Sequence, residues 1–295
     1  YGDGMRRLQD RLSDMTGLHA VCTSTGTAAL HLALLASEVK PLDRVAIPAL
    51  TFIATANAVT YTGAIPVVCG CKDDLTLDPA NVPDVDMVVP VSLGGTPCHT
   101  DYPRCVEDAA ASLGSAVTGR TRIVSFNHNK IVTGGQGGAV LSDDADLIDR
   151  CHALMSPASA TTVAYNYRMA DINADLIFAS LDDLPYRIER AREAHEVYAS
   201  ALDMVPLAPG ANGWAAWVRV PRAYALVGHL LREGIEARTM YRPIHMHPAY
   251  RWVERHNVDV DNIRAATLVQ LPTAVTRAEA IEVRRSLSRR WSAAV

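Results

Sequence analysis

The chain has 295 residues, 49% of them hydrophobic and 20% charged, and a formal net charge of -4. No apolar run reaches the roughly 18 residues of a membrane span, no low-complexity tract or short period marks a disordered or fibrous chain, and the acidic balance argues against a nucleic-acid binder. What remains is a globular protein of two domains or one large one, with neither membrane nor nucleic acid among its expected partners.

In chain order, Leu8, Leu12 and Met15 share one face of residues 5–15 and Gly17 follows as a stop, predicting an amphipathic helix. A strand is predicted at 20–22, then a Thr/Ser/Gly turn at 23–27, an apolar helix over 27–36 and a strand at 45–47. A helix over 52–61 leads to a strand at 65–69, with further strands at 87–91, 105–107, 123–126 and 138–141. Such alternation implies an α/β architecture, a mostly parallel central sheet flanked by helices, with its site at the carboxyl ends of the strands. Beyond Asn166 the pattern turns helical, and the charged stretch 182–201 contains Pro185, which fits only a first turn. Residues 207–213, rich in Pro, Gly and Ala, read as a linker. A strand at 214–220, a helix over 222–233 ended by Gly234 and a closing helix over 276–291 complete the chain. The arginines that crowd 251–295 read as a solvated helix face rather than a phosphate track. The expected division is a large α/β domain, 1–200, and a small α+β domain, 201–295.

The six cysteines are scattered and the opening residues are polar, with no secretory signal, so a reduced, cytoplasmic protein is expected. Cys69 and Cys71 are too closely spaced for a zinc knuckle and read as strand-end core, so no metal site is expected.

Of the 28 basic side chains only three are lysines: Lys40, Lys72 and Lys130. Lys40, beside Pro41, and Lys72, beside Asp73 and Asp74, read as exposed turn residues. Lys130 instead follows a predicted strand and precedes the glycine-rich loop Gly134-Gly135-Gln136-Gly137-Gly138. Only a lysine amine can form a Schiff base with an aldehyde; a guanidinium keeps its proton. Upstream, Gly26 and Thr27 open a helix after a strand, where free N–H groups and the helix dipole favour a phosphate. Between them Asp108 ends an apolar strand, and a carboxylate buried there needs a cationic partner. Each segment alone is an ordinary cap or turn. Together and in this order they are what pyridoxal 5'-phosphate (PLP) requires: a phosphate cradle, a carboxylate for the pyridine nitrogen and an amine for the aldehyde.

These segments carry a resemblance that covers nearly the whole chain. The stretches DRVAIPALTFIATANAVTYTGAIP from Asp43, EDAAASLGS from Glu107, SFNHNKIVTGGQGGAV from Ser125, YNYRMADI from Tyr165 and GIEARTMYRPIHMHPAY from Gly234 resemble the DegT/StrS nucleotide-sugar aminotransferases, fold-type I PLP enzymes. The form of the second and third looks most like the branch acting on bacillosamine and legionaminic-acid precursors. The resemblance implies that Lys130 carries the cofactor and moves the proton, Asp108 pairs with the pyridine nitrogen and Phe52 stacks on the ring. It implies that Gly26, Thr27 and Ser125 bind the phosphate, that Asn166 reaches it from the second subunit of a homodimer with shared active sites, and that Arg238 and His245 approach the substrate. The implied reaction is ping-pong transamination from an amino donor, L-glutamate, to a keto acceptor, a sugar or nucleotide-sugar. A related dehydratase branch has histidine where Lys130 stands, so that chemistry is disfavoured.

The chain also departs from the family. Set against the family pattern, the chain is expected to lack the segment that relatives place before the first helix; 90–106 has room for a loop but not a helix, the excursion before Ser125 is short, and Ala111 stands where relatives carry Gln, His or Glu. These changes fall where the acceptor pocket is shaped. The competing expectations are therefore a PLP enzyme with a non-sugar carbonyl acceptor, one catalysing elimination or decarboxylation, and a trimmed non-catalytic relative.

Overall fold

The computed structural model describes residues 2–155 and 163–291, with side chains of the closing helix described through Leu287. Helix α1 (Asp3–Thr16) buries Met5, Leu8 and Leu12 and ends where Gly17, at φ 69°, donates its N–H to the Ser13 carbonyl. Met15, expected on that face, is instead 38% exposed; the buried stripe starts one turn earlier, at Met5.

The order then runs β1 (His19–Thr23), α2 (Gly26–Ala36), β2 (Arg44–Pro48), α3 (Ala54–Tyr61), β3 (Ile65–Cys69), β4 (Met87–Val88), β5 (Glu107–Asp108), β6 (Thr121–Ser125), β7 (Gly138–Ser142), α4 (Ala145–Leu154), α5 (Asp171–Leu181) and α6 (Leu184–Ala199). The C-terminal part holds β8 (Ala216–Arg219), α7 (Ala223–Arg232), β9 (Arg238–Thr239), β10 (Glu254–His256), α8 (Asp259–Thr267), β11 (Leu268–Leu271) and α9 (Arg277–Trp291). Two sheets, β1-β7-β6-β5 and β10-β3-β2-β4, are joined by parallel bridges from Val88 to Cys105 and from Val91 to Asp108. The result is one continuous sheet in which β7 alone among these strands runs against its neighbours. The mostly parallel sheet expected from the alternating pattern is what the chain builds.

Side-chain alternation gives each strand two faces. Val21, Ile123 and Val140 pack with the almost wholly buried helix α2 and with α3 and α4. Cys22, Val124, Ala139 and Leu141 pack on the opposite face with α1 and α5. Under β2, β3 and β4 that second face is covered by loop residues such as Leu77, Val82 and Tyr102. Residues 90–106 contain a single three-residue helical turn, Leu93–Gly95, and no α-helix.

The antiparallel sheet β8-β11-β9 forms a second core with α7, α9 and the last turns of α6, through Ala194, Val197 and Tyr198. Expected separation at residue 200 is not a clean cut, because β10 returns to the large sheet and pairs with β3. There α8 is tied down by the buried Asp261, which accepts from Cys71 N–H at 3.0 Å and Arg264 Nη1 at 2.8 Å. Pro185 does fall in the first turn of α6.

Candidate active site

The carboxyl edge of the sheet sets the site. Thr23 pairs with Gly138 and Gly138 with Ser125, so the ends of β1 and β6 and the start of β7 form one row. Asp108 ends β5 beside Ile123, two residues before Ser125 along β6. Phe126 N–H donates to the Gly137 carbonyl at 2.9 Å, closing the base of the loop that carries Lys130; Gly137, at φ 142°, turns the chain back into β7.

At the start of α2, Thr25 is the N-cap: its Oγ1 accepts from Ala28 N–H and its carbonyl from Ala29 N–H, both at 3.0 Å. The N–H groups of Gly26 and Thr27 have no acceptor among the described residues. A Cβ on Gly26 would lie 2.8 Å from Ser125 Cβ, so only glycine lets the helix start approach β6 this closely. Two free donors, the positive end of a helix and the Ser125 hydroxyl thus meet in one concavity.

Asp108 is buried at 6% exposure. Its Oδ2 accepts from Thr55 Oγ1 at 2.8 Å and its Oδ1 from Ala110 N–H at 3.1 Å. Burial raises its pKa, opposed by those two hydrogen bonds and by the charge of Lys130. Lys130 is partly exposed into the cavity and has no carboxylate within ion-pair distance among the described residues. Its Nζ lies 4.6 Å from the centre of the Trp214 ring, and the loss of solvent around it pushes its pKa down to about 8, with Asp108 pulling the other way. Near neutral pH such an amine can both hold and release a proton.

Gly26, Thr27, Phe52, Asp108, Ser125, Lys130 and Arg238 line a single pocket of about 310 Å³. Ligand cavities start at about that size. Phe52, expected inside a helix, precedes α3 and is 58% exposed, its ring 5.8 Å from that of Tyr241. Asn166 and His245 do not line the pocket. Asn166 is exposed in the segment whose neighbour Tyr167 accepts from Ser24 N–H at 2.7 Å, beside the phosphate-type turn. His245 is buried, with Nε2 2.9 Å from Asn262 Oδ1 on α8.

Among the lining residues to which sequence reasoning gave no role are Thr51, Trp214 and Tyr241. Thr51 and Tyr241 lie inside the quoted motifs, so a signal existed; Trp214 looked like one more alternating strand residue.

Residues 1–284 match the model of the DegT/DnrJ/EryC1/StrS aminotransferase family. The chain belongs to that family. It is a PLP-dependent aminotransferase. EpsN of Bacillus subtilis (strain 168), named as a pyridoxal phosphate-dependent aminotransferase, is 31% identical over 296 residues, covering 84% of this chain and 76% of EpsN. GDP-perosamine synthase of Caulobacter vibrioides is 29% identical over 305 residues, covering 89% of this chain and 82% of that enzyme. Among solved structures, DesI, crystallised in the presence of its TDP-sugar product, superposes with a TM-score of 0.86 at 29% identity, covering 97% of this chain and 84% of DesI. These three names do not single out the bacillosamine or legionaminic-acid branch.

The residues of this aminotransferase fit the cofactor. The two unpaired N–H groups of Gly26 and Thr27 suit a phosphate, the buried Asp108 retains lone pairs for a pyridinium, and Lys130 is the pocket's only lysine. Lys40 is exposed, and Lys72 Nζ is paired with Asp74 Oδ2 at 3.1 Å. Among the described residues no helix is long and apolar enough to cross a membrane.

Proposed function

We propose that this aminotransferase moves an amino group from L-glutamate to the keto carbon of a nucleotide-linked sugar, working as a homodimer with shared active sites in the cytoplasm. The observation that carries the reading is the convergence of Asp108, Lys130 and the free N–H groups of Gly26 and Thr27 on one small pocket. The acceptor class is supported by the names of the relatives, GDP-perosamine synthase and DesI with its TDP-sugar product.

When bound, PLP supplies an aldehyde carbon and an electron sink. Lys130, with a pKa near 8, is the amine that would hold that aldehyde carbon, and as a free amine it could take and return a proton. Asp108 holds a proton on the pyridine nitrogen. Gly26, Thr27 and Ser125 would hold its phosphate, and Phe52 would stand against its ring. Arg238, exposed at the pocket wall beside Glu236, meets the anionic part of donor or acceptor. Asn166, exposed next to the phosphate turn, enters the site of a second copy. His245 is left out of this assignment, because it is turned to Asn262 instead.

The test is release of 2-oxoglutarate from L-glutamate in the presence of keto sugars linked to GDP, TDP or UDP. Activity with at least one supports the reading. Deamination of glutamate with none of them accepted moves the acceptor outside these nucleotide-linked sugars. For shared sites, K130A and N166A copies are refolded together. Recovered activity in the mixture is expected, and none would contradict an Asn166 supplied across the dimer.

A further inference from the structure

Thr55 lies in the first turn of α3, and Thr51 lies in the bend three residues before that helix. Both are buried, at 1% and 0% exposure. Thr51 Oγ1 lies 2.8 Å from Thr55 Oγ1, and Thr55 Oγ1 lies 2.8 Å from Asp108 Oδ2. The direction of this chain is fixed by proton count. A hydroxyl has one hydrogen. An ionised carboxylate only accepts, so Thr55 spends its proton on Asp108 and must accept from Thr51. The pocket wall at Thr51 is thereby wired to the carboxylate through two oriented hydroxyls.

We propose that Thr51 and Thr55 are positioning residues that hold Asp108 ionised and correctly turned, and so keep the proton on the cofactor's pyridine nitrogen. This rests on the assignment of Asp108 to that nitrogen. The need for such a device follows from burial, which disfavours the charged carboxylate. The charged and titratable groups around Asp108 are few. Lys130 faces it from the loop after β6 and favours its charge; Tyr241 faces it from the segment after β9; Glu107 is its neighbour on β5. Glu107 is itself occupied elsewhere, accepting from Ser92 Oγ at 2.5 Å and Gly119 N–H at 2.9 Å, and burial raises its pKa too. Before the cofactor binds, Lys130 is thus the cation that stabilises the Asp108 charge from across the pocket, and the nearest donors to its oxygens are Thr55 and Ala110. Hydrogen bonds to a charged acceptor are the stronger kind.

The test uses holoenzyme reconstituted with PLP isotopically labelled at the pyridine nitrogen, read by NMR, together with the pH profile of cofactor affinity. Wild type is expected to show a pyridinium. T55V, which keeps the shape and removes the hydroxyl, is expected to shift the signal toward a neutral pyridine and to weaken PLP binding roughly ten- to a hundredfold. Its acid-side loss of affinity begins at higher pH, because Asp108 protonates sooner. T55S restores both readouts. T51V moves them the same way by less, and decides the matter if T55V does not fold. D108N separates the two levels: if it leaves the pyridinium signal unchanged, the assignment of Asp108 fails. If D108N abolishes the pyridinium while T55V and T51V match wild type, the assignment stands and the relay is overturned.

Discussion

Lys130 Nζ sits 4.6 Å over the ring of Trp214, whose Nε1–H donates to the carbonyl of Asn129, the residue just before that lysine, at 2.8 Å. The same tryptophan is anchored from behind: its N–H donates to Asn212 Oδ1 at 2.9 Å, and Asn212 Nδ2 donates to the carbonyls of Ala111 and Leu113 at 2.9 and 3.1 Å. Asn212, in the linker, and Trp214, just after it, thereby staple this segment both to the loop after Asp108 and to the loop that carries Lys130. A cation over an indole face contributes about 0.5–2 kcal/mol, and truncating a buried tryptophan costs about 3–5 kcal/mol. W214A is expected to lose stability in that range in urea melts, and W214F, which keeps an aromatic face, to lose less. Equal losses would show that the face toward Lys130 contributes nothing.

The depressed pKa of Lys130 predicts a stability gain when it is removed. The fall from 10.5 to about 8 corresponds to about 3 kcal/mol. The folded chain gives up this proton more readily than the unfolded chain, so the lysine costs its full amount below pH ~8, and stability recovers as pH rises from ~8 to ~10.5. The cofactor-free K130M protein should therefore be more stable than wild type at neutral pH by a few kcal/mol, with the gap closing through that window. Denaturant melts at pH values spanning the window measure it. A gap that is absent or grows with pH would contradict the burial of the amine.

Two glycines at the phosphate turn should differ in severity. An added Cβ on Gly26 meets the Ser125 side chain at 2.8 Å, whereas one on Gly138 meets the backbone of Thr25 and Gly26 at 2.5 and 2.6 Å. A side chain can yield a little; the main chain of a cap cannot. G26A is expected to cost about 1–3 kcal/mol, and G138A more. Both should weaken PLP binding, G138A the more, as thermal melts and cofactor titration would show.

Much of this was legible in the sequence, for physical reasons that differ by element. Strands β2 and β3 are short apolar runs because both faces are covered, and their positions were readable to within a residue at each end. Strand β10, with the residues Glu254, Arg255 and His256, was not readable: it lies at the sheet edge, pairs only with β3 and is mostly exposed, so it needs no apolar pattern. Helix α4 did leave a signal that was passed over. Asp144 caps it by accepting from Leu147 N–H, and Leu147, Ile148 and Cys151 form its buried stripe. Lys130 and Asp108 stood out in the sequence because PLP chemistry admits few residue types, and the fold brings both to one pocket. Thr51 and Thr55 lie inside a recognisable motif, but their link to Asp108 is made across the fold, and Trp214 acts through a hydrogen bond and ring contact with a segment far away in the chain; local pattern does not encode such contacts.

Assignment of Lys130 as the cofactor's amine is tested most directly by covalent trapping. With three lysines in the chain, borohydride reduction of the PLP-loaded protein followed by peptide mapping gives a direct answer. The expected result is a visible absorption band that disappears on reduction, leaving a pyridoxyl group on the peptide containing Lys130 and none in K130A. A stable label on Lys40 or Lys72, or a loaded protein in which no lysine is labelled, would contradict the assignment of Lys130.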